Sequence, residues 1–193
     1  MAVPAGKRAT YADVLAAPSH LVAEVLDGEL SLQPRPGAPH AAATWGLGAE
    51  LAQPFSRGRG GPGGWLILAE PELHLGEDIV VPDLAGWRRE RLPKVPDVPF
   101  ITVAPDWVCE ALSPSTARLD RTQKRRIYAR ENVGWLWFMD AMARMVEAFE
   151  LVNGHYLLID TWVDDAKARI PPFDAVELDL AAVWQDIEAP TPR

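Results

Sequence analysis

The chain has 193 residues, 48% hydrophobic and 24% charged, with a formal net charge of −8. That composition is close to the average for folded globular domains and excludes a disordered, collagen-like or coiled-coil chain. At roughly 100–200 residues per domain it predicts a single domain over residues 1–187, followed by a frayed tail over 188–193. No apolar run is long enough to span a bilayer, and Met1–Thr10 lacks the apolar stretch of a signal peptide. The one cysteine, Cys109, excludes an intrachain disulfide and a multi-cysteine metal site, and the expected compartment is a reducing cytoplasm.

The elements follow in chain order. Thr10 is placed to cap a short helix, Tyr11–Ala16, stopped by Pro18. Val22–Gln33 reads as a hairpin around Asp27-Gly28, a strong two-residue turn signal. A Pro/Gly loop leads to a helix over His40–Phe55, weakened by Gly46 and Gly48. The Gly-rich Ser56–Gly64 lacks the spacing of a phosphate-binding loop and reads as a connection. Trp65–Ala69, Glu72–Leu75, Ile79–Trp87 and Asp106–Leu112 read as strands. Thr116 or Asp120 begins a helix that runs to about Arg130, stopped at Asn132 and Gly134. Trp135–Met139, Met145–Leu151 and Tyr156–Trp162 are further strands, the last two joined at Asn153-Gly154. A short helix is expected within Val176–Trp184. Many strands with few helices between them predict an α/β or α+β chain with a mixed sheet flanked by helices.

Charge is unevenly distributed. Arg88–Arg130 holds ten basic and five acidic residues, net +5, which leaves −13 for the rest of a chain that totals −8. The acidic whole argues against tight nonspecific binding of nucleic acid. The basic segment suits an anionic substrate at one place, or simply a solvated arginine-rich helix face.

Carboxylates interrupt two apolar strands. In Ile79-Val80-Val81-Pro82-Asp83-Leu84-Ala85, alternation puts Asp83 in a row with Ile79, Val81 and Ala85. Pro82 cannot donate to a ladder, so the sheet opens there. In Asp106–Ser113, Glu110 shares a face with Val108 and Leu112. A buried carboxylate costs several kcal/mol unless it is paired or holds a metal. Two of them near strand ends point either to convergence on one site or to separate pairing with arginines of the 118–130 helix. Lys124 lies on one helical stripe with Arg121, Ile127 and Tyr128 and points inward, as a member of the site or as a lysine whose stem covers apolar surface. Glu24 shares a face with Val22 and Leu26 and is a third inward carboxylate. His40 opens a helix, where capping or surface roles are common, and is an accessory candidate. Glu70 and Glu72 lie near enough to reach a site, or form a solvated acidic turn with Glu77 and Asp78.

Taken together, Val80-Val81-Pro82-Asp83-Leu84, the run Pro105–Thr116, then Asp120, Lys124, Tyr128 and Asn132-Val133-Gly134 resemble the Uma-two family of the PD-(D/E)xK restriction-endonuclease-like superfamily. Glu24–Leu30 and His40 also match its pattern, and the resemblance spans about residues 8 to 160. It implies a central mixed β-sheet flanked by helices, with Asp83 and Glu110 as metal-binding carboxylates and Glu24 completing the metal set. Lys124 joins these three as a catalytic group. The superfamily pattern expects lysine two residues after Glu110, where this chain has Leu112, and the resemblance supplies it from the next helix as Lys124. The implied function is a magnesium-dependent (or manganese-dependent) endonuclease that hydrolyses DNA as a homodimer. The alternatives are a catalytically inactive nuclease-fold module that binds DNA or protein, and a structural protein whose carboxylates are all paired with arginines.

Overall fold

The computed structural model describes residues 8–188. The expected tail from 189 onward and residues 1–7 of the N-terminal stretch lie outside the described residues. No helix among the described residues is long and apolar enough to cross a membrane.

The chain begins with α1 (Tyr11–Leu15), capped by a Thr10/Asp13 capping box. A hairpin follows, β1 (Leu21–Leu26) and β2 (Glu29–Pro34), and its turn places both Asp27 and Gly28 at positive φ. That backbone is what Asp-Gly turns supply most readily. The helix α2 (Ala38–Leu51) starts two residues earlier than the sequence suggests, because Pro39 is well tolerated in a first turn. It runs into a π-helical turn at Ala52–Ser56. Next come β3 (Trp65–Ala69), β4 (Leu73–Leu75), β5 (Asp78–Val80) and β6 (Leu84–Arg88). The strand β7 (Trp107–Ala111) leads into α3 (Ala117–Leu119), a π-helical turn at Asp120–Lys124 and α4 (Arg125–Arg130). The strands β8 (Trp135–Asp140), β9 (Met145–Val152) and β10 (His155–Val163) form a meander. The chain closes with the short β11 (Lys167–Ala168), β12 (Leu178–Asp179) and α5 (Leu180–Trp184).

These strands build a central six-stranded sheet in the order β10-β9-β8-β7-β6-β3 and a four-stranded antiparallel sheet in the order β2-β1-β5-β4. The central sheet is mixed because β7 and β8 are parallel. A parallel pair needs a crossover, and α3, the π turn and α4 provide it. Alternation along β7 then divides two cores. Trp107, Cys109 and Ala111 face a core shared with α2 and α5, whereas Val108 and Leu112 face one shared with Ile127 and Tyr128 of α4. Five tryptophans (Trp65, Trp87, Trp107, Trp137 and Trp184) are fully buried and fill these layers.

Two expectations need correction. Ile79–Trp87 is not one strand: β5 belongs to the four-stranded sheet and β6 to the central one, with Val81-Pro82-Asp83 crossing between them. Pro82 explains the break, since it removes a ladder donor where the chain leaves one sheet for the other. Asp120 is not an N-cap. Thr116 occupies that position, and Asp120 lies buried in the π turn.

Candidate functional site

The β5–β6 crossing organises the site. In the β6–β7 ladder Leu84 pairs with Cys109 and Ala85 with Val108, so the next antiparallel step sets Asp83 opposite Glu110. Backbone pairing stops there because Pro82 follows in that direction. The Asp83 side chain continues it instead: Oδ2 accepts the N–H of Ala111 at 2.7 Å. Glu24, from β1, does the same on the other side of the break, where its Oε1 accepts the N–H of Val81 at 2.8 Å. Both carboxylates are held by backbone donors that the crossing leaves without ladder partners.

Lys124 joins the acids from a separate element. Its Nζ lies 3.1 Å from Glu24 Oε1, 3.0 Å from Glu110 Oε1 and 3.7 Å from Asp120 Oδ1. It also donates to the carbonyl of Val81 at 3.4 Å. Glu24, Glu110, Asp120 and Lys124 are all buried. The hydroxyl of Tyr128 donates to Glu110 Oε1 as well, which fixes the carboxylate from the α4 side. His40, in the first turn of α2, sets Nε2 3.2 Å from Asp83 Oδ1.

The site is therefore strongly acidic. Four carboxyl groups surround one ammonium, with an imidazole at the edge. Burial pushes the Glu110 carboxyl well above its ordinary range; Lys124 opposes this, while Asp120, Asp83 and Glu24 reinforce it. Burial also raises Asp120, against the pull of Lys124 and Thr116. Lys124 itself is held well above its ordinary value, because the attraction of Glu110, Glu24, Asp120 and Asp83 outweighs the burial that lowers it. Burial lowers His40, but the hydrogen bond and charge of Asp83 outweigh it and leave the imidazole raised.

All four residues expected to be catalytic, Glu24, Asp83, Glu110 and Lys124, line one cavity of about 130 Å3, together with His40. Glu70 also lines it, next to Asp83, whose carbonyl accepts the Glu70 N–H at 3.0 Å. Glu72 does not; it pairs with His74 at 2.8 Å. Asp120 and Tyr128 are site members that are not among the expected catalytic residues, although Tyr128 lies on the Lys124 stripe and both lie in the stretch that carries the resemblance. The signal lay in their spacing around Lys124, which puts them one helical turn to either side. The helix arginines take no part. Arg121 pairs with Glu147, Arg126 with Asp27, and Arg130 with Asp27 and Asp78, while Arg125 donates to the carbonyl of Tyr156. That excludes pairing of the site carboxylates with arginines of this helix.

Among the described residues no three His, Cys, Asp or Glu side chains are grouped so that they could hold a metal ion together. The donors at the cavity are nevertheless oxygens, in excess over the single cation. Magnesium is suited to such a set, since it keeps several waters and takes one or two carboxylates alongside a substrate phosphate.

The chain matches the family Uma2, described as "Putative restriction endonuclease", over residues 10–182. It belongs to that family. A crystal structure from Anabaena variabilis, described as that of "a putative nuclease belonging to DUF820", superposes with a TM-score of 0.72 at 19% identity, covering 92% of this chain and 98% of that one. This likeness shows that the two chains share a fold, a central mixed sheet flanked by helices. A comparison with curated proteins gives no match.

Proposed function

We propose that the chain is a divalent-metal-dependent endonuclease that hydrolyses DNA phosphodiester bonds, with magnesium as its ion and manganese as a substitute. One observation carries this reading: carboxylates from β1, the β5–β6 crossing and β7 converge with a buried ammonium at the wall of a cavity. Family membership supports it from an independent direction. Asp83 and Glu110 would hold the ion, with Glu24 completing the set. When bound, it lowers the pKa of water and neutralises charge developing on phosphate.

The chain's own groups have distinct work in this reading. Lys124 presents a compact positive charge to the phosphate or to the attacking water. Tyr128 and the Ala111 N–H hold Glu110 and Asp83 in place. His40 orients Asp83 from the outer side. Arg35, Ser113, Ser115 and Thr116 line the same cavity and offer donors to an anionic backbone.

The test is nicking of supercoiled plasmid by a clean preparation in magnesium and in manganese. Metal-dependent cleavage that disappears in Glu110→Ala supports the reading. No cleavage in either metal overturns it.

A second reading, a nuclease-fold module that binds without turnover, is favoured by one feature. Glu110 Oε1 is already engaged by both Lys124 and Tyr128, and Leu112 stands where the superfamily pattern expects lysine. Retained DNA binding with no single-turnover cleavage selects it. We also propose a homodimer in a reducing cytoplasm. The apolar Leu157, Leu158 and Ile159 are exposed on β10, an edge strand of the central sheet, and the single thiol is buried. Light scattering that gives the mass of one chain overturns the dimer.

A further inference from the structure

A second cavity, of about 420 Å3, opens beside the first. Pro36, His40, Glu70 and Asp83 line both, so the two lie side by side. One face of α2 forms a wall, opposite Ile67–Ala69 of β3. Along that face, and on into the π-helical turn, Thr44, Gly48, Ala49 and Ala52 recur at helical spacing, and their short side chains leave the gap to β3 unfilled. A Cβ built on Gly48 would come no closer than 3.7 Å to Leu84. The opposite side of the helix is packed against α5, so the groove is confined to this face.

Two features of the rim indicate an occupant. Trp45 is 77% exposed, the highest value among the exposed large apolar side chains of the described residues. Arg57 stands at the same groove, exposed and with no ion-pair partner among the described residues. Within the wall the Thr44 hydroxyl is buried without a hydrogen-bond partner. An apolar trough thus carries an unpacked indole, an unpaired guanidinium and an unsatisfied hydroxyl.

We propose that this groove receives one unstacked nucleobase of the DNA strand whose phosphate lies at Asp83 and Glu110. The inference rests on the nuclease reading and specifies its substrate as locally single-stranded. Trp45 supplies a stacking surface, a contact every base accepts because every base has a π-face. Arg57 meets the phosphate next to the bound base. The shared lining at His40 and Asp83 favours a polymer that reaches both cavities. A base inside a duplex is stacked on both sides and cannot enter unless it is extruded.

The experiment is a fluorescence-anisotropy titration with a labelled single-stranded oligonucleotide of about twelve nucleotides, and with the same strand in a duplex. Both are measured in chelator, so that no cleavage occurs. Trp45→Ala and the groove-filling Ala49→Phe are each expected to weaken single-strand binding about tenfold and to change duplex binding little. Trp45→Phe is expected to restore most of the affinity, and Arg57→Gln to flatten the salt dependence by about one phosphate contact. Unchanged single-strand affinity in both Trp45→Ala and Ala49→Phe overturns the inference, whatever the plasmid assay shows. Weakened single-strand binding beside a wild-type protein that cleaves nothing leaves the groove standing and removes hydrolysis alone.

Discussion

The Nζ of Lys124 lies 3.0 Å from Glu110 Oε1, although one residue sits in a π-helical turn and the other in the middle of the central sheet. The pair is buried, and Glu110 has further acids around it. Removing one partner of such a pair leaves an uncompensated charge, which costs about 3–5 kcal/mol.

Lys124→Met should therefore destabilise the metal-free protein by about that amount, as read from urea midpoints with an unchanged slope. Glu110→Gln in the same chain should recover part of the loss. A double-mutant cycle should show a coupling of about 0.5–3 kcal/mol. Additive effects of the two substitutions would refute a direct pairing. The pH dependence has a definite sign. The Glu110 carboxyl is raised in the folded state, so its proton favours folding at low pH, and stability falls as pH climbs above its ordinary value of 4.5. Lys124 is raised as well, so its contribution is complete below 10.5 and is lost as pH rises through the folded value.

The contact between His40 and Asp83 makes a separate prediction. In chelator, the His40 imidazole should titrate above 6.5, and Asp83→Asn should bring it down. Its stabilising effect is complete below 6.5 and is lost as pH rises through the folded value. Histidine ring resonances followed by NMR across pH 5–9 (roughly the range where imidazoles titrate) measure both. A His40 value that ignores the Asp83 substitution would exclude the hydrogen bond.

Two glycines in α2, only two positions apart, should respond to alanine in opposite ways. A Cβ at Gly46 would meet the backbone oxygen of Val183 at 2.8 Å, so Gly46→Ala must push α2 away from α5. Overpacking of that kind costs about 1–3 kcal/mol. At Gly48 the nearest atom is a side-chain carbon of Leu84 at 3.7 Å, an ordinary contact. There alanine should gain up to about 1 kcal/mol from helix propensity. Thermal or urea unfolding of the two variants checks the sign of each change, and equal effects would contradict the α2–α5 packing.

Local pattern carried much of the molecule. The Asp27-Gly28 hairpin, the inward position of Glu110 in the alternation of β7 and the inward stripe of Lys124 each depend on a few neighbouring residues. Backbone periodicity reports such geometry directly. The Pro82 break was also readable, because a missing N–H acts locally wherever the chain goes.

What the sequence could not decide was which elements would meet. Nothing local distinguishes β5 from β6 as members of different sheets, because sheet membership depends on strands far away in the chain. The same holds for Asp120 and Tyr128, whose roles require Lys124 and Glu110 to be brought face to face by the crossover between parallel strands. It holds for the helix arginines too, which look available until Glu147, Asp27 and Asp78 arrive from distant segments. The groove at Trp45 is the clearest case: a short side chain shows how much space it leaves, but only packing against β3 and α5 decides which side of α2 keeps that space open.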